Sequence, residues 1–164
     1  MSKTKISISA MSYKKKEDIR ILSACLSNWF KNPKLLHFTS PNMTYPFNLN
    51  KWISLSYKEK NNKTIIIKID DWIIGHLSIK EKKEQGSAHL FHLIIDPNYH
   101  RKGFAKKLIL YAEELINNDN IKKITLNVVK KNQAARQLYY SLGYADKETT
   151  RSGSIIKMGK TLIN

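Results

Sequence analysis

Apolar and polar side chains alternate from Lys5 to Met11, the period of a half-buried strand. The spacing changes after Glu17, where Ile19, Leu22, Leu26, Trp29 and Phe30 recur on one face and predict a helix from Glu17 to Phe30. From Lys31 to Phe47 the pattern fails. Pro33, Pro41 and Pro46 fall in this stretch and make it loop or broken helix. Asn48 suits the N-cap of a short helix carrying Leu49, Trp52, Ile53 and Leu55, because its side-chain oxygen accepts from a free N–H of the first turn.

Two strands follow, Thr64 to Ile69 and Trp72 to Ile79, joined as a hairpin at Asp70 and Asp71. A polar turn from Glu81 to Ser87 leads into a strand from Ala88 to Ile95. The helix from Gly103 to about Asn117 turns Ala105, Leu108, Ile109, Ala112, Leu115 and Ile116 to one side, a stripe suited to packing on a sheet. Ile121 to Val129 reads as a strand, Asn132 to Leu142 as a helix closed by Gly143, and Tyr144 to Arg151 and Ser154 to Leu162 as two terminal strands. This order predicts a mixed α/β fold with an antiparallel front and a βαβ unit at the back. No repeat, linker or low-complexity segment interrupts it. A chain of 164 residues is long enough for one core, so one domain over residues 1–164 is expected.

Composition narrows the setting. A hydrophobic content of 41%, with three Trp and eight Tyr, supplies an ordinary core. The single Cys25 rules out an internal disulfide, and its place on the apolar side of the first helix predicts a buried, reduced thiol. No apolar run reaches the roughly 18 residues of a membrane span, and the N-terminus alternates like a strand instead of carrying a signal-peptide core. No membrane partner and a cytoplasmic location are therefore expected. The net charge of +16 raises the question of nucleic acid. Against it, the lysines are spread along the chain and only Arg20, Arg101, Arg136 and Arg151 are arginines, the residue that base readout favours. A solvated lysine-rich surface explains the charge better, with anionic ligands or an acidic partner steered inward by it as the alternative.

The candidate chemistry begins at Leu93. Leu93-Ile94-Ile95-Asp96-Pro97 ends a strand, and His100-Arg101-Lys102-Gly103-Phe104-Ala105 turns into a helix. A helix start offers unpaired N–H groups and a favourable dipole to an anion, and Gly103 lets that anion approach the backbone. Lys106 and Lys107 add charge. One glycine after a strand is a weak signal alone. A second strand-to-helix junction follows at Asn132, with Tyr139 two turns on, and two such units side by side make a cleft.

These two blocks resemble the GNAT-type N-acetyltransferase superfamily. Its pyrophosphate motif is Gln or Arg, two residues, Gly, any residue, then Gly or Ala, and here it reads His100 to Ala105. Asn132 to Ala135, Leu138-Tyr139 and Leu142-Gly143-Tyr144 look like the other signature of the family. The resemblance implies a central twisted, mostly antiparallel sheet of about seven strands flanked by helices, with a βαβ acyl-CoA-binding unit. It implies that Leu93, Ile94 and Ile95 offer backbone groups to the pantetheine arm of acetyl-CoA and that N–H groups from Arg101, Lys102, Gly103, Phe104 and Ala105 hold the pyrophosphate. It further implies that Asn132 contacts a pantetheine amide and that Tyr139 is the general acid for the departing thiolate. His100 departs from the usual Gln or Arg.

Within the superfamily, Ala88 to Ala105 looks most like the ribosomal-protein alanine N-acetyltransferases. That subgroup carries a glutamate base five residues before the motif asparagine, where this chain has Asn127. The loss matters because only a neutral amine attacks. At pH 7.4 about 0.1% of a lysine amine is neutral, against about 30% of an α-amine. His92 is the leading replacement for the base, ahead of His89 and His76, although a histidine on a strand face is also explained as a hydrogen-bonded spacer. His37 is a candidate substrate contact. The aromatics Trp29, Phe30, Phe38, Tyr45, Phe47 and Trp52 suggest either a wall over the acceptor or plain core. Five scattered histidines without a Cys or carboxylate cluster suggest no metal. The expected activity is direct transfer of an acetyl group from acetyl-CoA to a primary amine, on a protein N-terminus or a small molecule. The alternative is a non-catalytic acyl-CoA-binding regulatory module, and a homodimer is left open.

Overall fold

The computed structural model describes residues 3–163. Its centre is one seven-stranded sheet: β1 (Ile6–Met11), β2 (Asn62–Ile69), β3 (Trp72–Lys82), β4 (Ser87–Ile95), β5 (Lys123–Val129), β6 (Ala145–Thr149) and β7 (Ile155–Thr161), in spatial order β1-β2-β3-β4-β5-β7-β6. All neighbours are antiparallel except β4 and β5, which run parallel because a helix crosses between them. That crossover is the βαβ unit read from the sequence.

Five α-helices cover the sheet: α1 (Lys16–Trp29), α2 (Pro33–Thr39), α3 (Leu49–Ser56), α4 (Phe104–Asn118) and α5 (Gln133–Ser141). Alternation along the strands divides the burial between two cores. Ile65 and Ile67 of β2 pack with Leu108, Ile109 and Ala112 of α4 and Tyr139 of α5, whereas Ile66 packs with Leu22 and Leu26 of α1, Leu36 of α2 and Trp52 of α3. Glu113 of α4 accepts from Lys160 Nζ of β7 at 2.9 Å and from the Tyr144 hydroxyl at 2.8 Å, tying the crossover helix to the far half of the sheet.

The sequence reading differs from the structure at a few places. The stretch from Lys31 holds α2, capped by Asn32, whose Oδ1 accepts from Lys34 N at 2.9 Å, with Pro33 in the first turn. Proline needs no N–H partner at that position, so it starts this helix instead of preventing one. Strand β3 continues to Lys82, and Lys83–Gln85 forms a single 3-10 turn closed by Gly86 at φ 64. Cys25 is half-buried, not sealed, and packs on the rim of the second core. Asn48 does cap α3, accepting from Lys51 N at 3.0 Å. Among the described residues no helix is long and apolar enough to cross a membrane.

Candidate active site

Parallel pairing of β4 with β5 runs only from Ser87 opposite Lys123 to Leu90 opposite Leu126. Beyond that point the two strands part. The cause lies partly in β4, where an extra residue between the partners of Ser78 and His76 forms a bulge, and His92 takes φ 54. A bulge bends its strand and re-aims side chains. The gap opened between β4 and β5 becomes a cleft of about 400 Å³, lined by Leu90 to Leu93, Leu126 to Val128, His100, Asn132, Ala134, Ala135 and Tyr139, and closed above by Asn32, Lys34, Leu35, Phe38 and Thr39 of α2 and its cap.

At one side of this cleft the chain turns into α4. Arg101 at φ 63 and Gly103 at φ 84 are both left-handed, a succession that aims main-chain N–H groups inward. No N–H from Arg101 to Lys106 has an acceptor among the described residues. A Cβ placed on Gly103 would meet nothing within 4 Å, so the space in front of the loop is open. The loop therefore fits an anionic diphosphate. The His100 side chain does a different job: its Nε2 donates to the Ile95 carbonyl at 2.7 Å and pins the loop to the end of β4.

Of the three residues at the end of β4, only Leu93 lines the cleft. Ile94 is buried in the core under α1 to α3, and Ile95 in the core under α4. Asn132 is the N-cap of α5 and accepts from Ala135 N at 3.3 Å through Oδ1, which leaves its amide NH₂ for a ligand. Tyr139 is buried on α5, and its hydroxyl has no partner among the described residues. Burial pushes its pKa up, so the phenol stays protonated.

His92 sits at the opposite wall. Its ring stacks on Trp52 with centroids 3.8 Å apart, and Nδ1 meets the Tyr57 hydroxyl at 2.7 Å. Burial, helped by His76 and His89, holds its pKa well below the ordinary value, so the imidazole is neutral. His76 is fully buried and spent: Nδ1 donates to the His92 carbonyl at 2.8 Å, so Nε2 accepts from Tyr13, and burial lowers its pKa to about 4. His89 bonds Thr125 at 2.8 Å, and burial with nearby Lys82, Lys157 and Lys80 lowers it to about 4.

A second cleft of about 540 Å³ shares Phe38, Thr39, Leu90, Phe91, His92, Asn127 and Val128 with the first. His92 thus lines both. Asn127 is exposed in both and carries no basic atom. Of the aromatics considered for an acceptor wall, Phe38 faces the clefts. Trp29, Phe30 and Trp52 are core, Phe47 packs against them, and Tyr45 and His37 are exposed outside both clefts. The sequence pattern does not point to Tyr57, which bonds His92, to Ser78, which bonds Tyr57, or to α2 as part of the cleft wall.

Solved structures share this architecture. The chain is similar to the ribosomal-protein-S18-alanine N-acetyltransferase from Escherichia coli, with a TM-score of 0.69 and 18% identity over 96% of this chain and 94% of that one. It is similar to spermidine N-acetyltransferase from Vibrio cholerae in complex with CoA and spermine, with a TM-score of 0.73 and 20% identity over 95% of each chain. PaiA N-acetyltransferase from Thermoplasma acidophilum, in complex with coenzyme A, matches with a TM-score of 0.72 and 21% identity over 96% of this chain and 99% of that one. At these identities the likeness shows the fold. The family itself follows from the sequence, because the model of the acetyltransferase (GNAT) family matches residues 25–144, most of the chain and both of the junctions that build the cleft. The chain is a member of the GNAT acetyltransferase family.

Proposed function

We propose that this protein transfers an acetyl group from acetyl-CoA to a primary amine by direct attack, without a covalent enzyme intermediate. One observation carries the reading: a single cleft lies between the parted ends of β4 and β5, with Tyr139 in its wall beside Asn132 and with His100, the residue that leads into the loop of free N–H groups before α4, at its edge. When bound, acetyl-CoA supplies an activated acyl carbon. The loop from Arg101 to Ala105 holds the diphosphate through its N–H groups, and the Asn132 amide and the main chain at Leu93 orient the arm. Tyr139 donates its proton toward the sulfur as the carbon–sulfur bond breaks. Burial keeps the phenol protonated, so its proton is in place as negative charge develops on the departing sulfur.

The acceptor reaches the acyl carbon from the second cleft, which His92 also lines. Neutral His92 Nε2, which has no partner among the described residues, takes the proton that the attacking nitrogen loses. An α-amine asks least of such a base, since deprotonating it at neutral pH costs under about 1 kcal/mol, against roughly 4 kcal/mol for a lysine amine. Lys58 and Lys80 line the acceptor cleft, and Glu59 is drawn off to Lys80 at 2.8 Å. Excess positive charge repels polyamines and lowers the pKa of an incoming amine further. The acceptor is therefore a protein N-terminus or small amine with an acidic group nearby.

Thiol release from acetyl-CoA across a panel of acidic α-amino peptides, small amino acids and polyamines tests this. Turnover is expected with the first two classes. Heat of CoA binding with no thiol release on any amine would replace the enzyme with a binding module, and no binding at millimolar CoA would remove the reading altogether.

A further inference from the structure

His92 poses a problem of charge. It is buried, its ring packs against Trp52 and Phe91, and no acidic group bonds it among the described residues, so it cannot hold a second proton for long. A base in that position works only if the proton gained at Nε2 is matched by one lost at Nδ1.

The structure gives Nδ1 a route. The Tyr57 hydroxyl lies 2.7 Å from Nδ1 and 2.8 Å from Ser78 Oγ, and Ser78 Oγ lies 2.9 Å from Thr64 Oγ1. Thr64 and Ser78 are direct cross-strand partners on β2 and β3, and Tyr57, just past α3, bridges from Ser78 to His92 on β4. The row crosses three strands inside the protein. Thr64, at its far end, lines another cavity of about 370 Å³ beside β1, β2 and Tyr13, whose wall also includes Tyr57 and Glu59. Every link lies within hydrogen-bond range, and each hydroxyl can turn to donate in either direction. Tyr13 stacks on Tyr57 beside the row, with its proton directed to His76 Nε2 and its oxygen accepting from Trp52 Nε1 at 3.1 Å.

We infer that Tyr57, Ser78 and Thr64 form a proton relay from His92 to the cavity beneath β2. The relay rests on the acetyl-transfer reading above and explains how this chain manages without a carboxylate at Asn127. The attacking nitrogen gives a proton to Nε2. In concert the Nδ1 proton moves to the Tyr57 oxygen, the Tyr57 proton to Ser78, the Ser78 proton to Thr64, and the Thr64 proton to solvent in the cavity. No atom of the row ends charged, and His92 is left as the other neutral tautomer. Once product leaves, water in the open cleft takes the Nε2 proton and the row shifts back. Tyr57, Ser78 and Thr64 are positioning residues here, acting through His92.

Turnover in mixtures of H₂O and D₂O tests the relay on the intact protein, with Ser78→Ala and Thr64→Val breaking the row and Ser78→Thr and Thr64→Ser preserving it. The wild-type rate is expected to curve with deuterium fraction, as several protons move together. Ser78→Ala is expected to lose about tenfold or more in kcat, to give a straight line and to bind CoA as before, with Ser78→Thr restoring rate and curvature. Thr64→Val reports separately should Ser78→Ala fold poorly. Wild-type kcat in both row-breaking variants, or a lower kcat with the curvature unchanged, overturns the relay while leaving acetyl transfer standing. Failure of the wild-type chain to release thiol with any amine overturns acetyl transfer itself, and the relay with it.

Discussion

Tyr139 and Gly103 carry the two halves of the proposed chemistry, and each can be removed with little disturbance. Tyr139→Phe deletes a hydroxyl that bonds no described residue, so the core packing of the ring survives. Turnover is expected to fall about 10²-fold, with CoA affinity nearly unchanged by calorimetry. Unchanged turnover would mean that another group protonates the sulfur. Gly103→Ala meets no protein atom within 4 Å but sits at φ 84, and its Cβ occupies the space into which the diphosphate comes. Strain of about 1–2 kcal/mol and the blocked approach together predict CoA binding at least about tenfold weaker. Equal affinity in titration would show that the loop does not hold the diphosphate. Tyr139, Asn132 and Gly103 were legible as candidates because motif and spacing point to them. The task of His100 was not, since its bond to the Ile95 carbonyl depends on how the loop folds back.

Strands and helices were legible wherever a period ran long enough to bury a face, as in α1, α4 and β2 to β5. The exception is α2, at seven residues too short for periodicity, although Asn32 followed by Pro33 carries a start signal. The bulge in β4 left no mark at all: His92 is an ordinary residue in an ordinary strand pattern, and its φ of 54 arises from the register with β3. Gly75 shows how closely those strands fit. A Cβ there would lie 2.7 Å from Ile95 Cδ1, 2.8 Å from Ile67 Cγ2 and 3.1 Å from the Ile94 carbonyl. Gly75→Ala must push the end of β4 outward, which is expected to cost about 2 kcal/mol in urea unfolding and to weaken CoA binding through His100. Wild-type stability in that variant would contradict the tight register.

Acid should loosen the entire fold through its buried histidines. His76 and His89 are held neutral, each with a pKa lowered to about 4, whereas in the unfolded chain they take protons near 6.5. Their neutrality favours the folded state fully above pH 6.5. Between pH 6.5 and 4 the unfolded chain binds more protons, so stability falls as pH falls, with His76 alone accounting for about 3 kcal/mol at the lower end. Melting temperature recorded from pH 7.5 to 4.5 should drop across this window and drop less in His76→Gln. A flat profile would refute the buried, neutral assignment. From its order of residues alone this chain specified most of its elements, its parallel crossover and the helix start proposed to receive an anion, because periodicity, caps and glycine act over a few neighbours. The parting of β4 and β5, the placing of His92 in the wall of two clefts, the row of hydroxyls next to it and the part of the cleft wall made by α2 came from folding. They join residues as distant as Thr64, Ser78 and His92, and contacts between remote parts of a chain leave no local pattern to read.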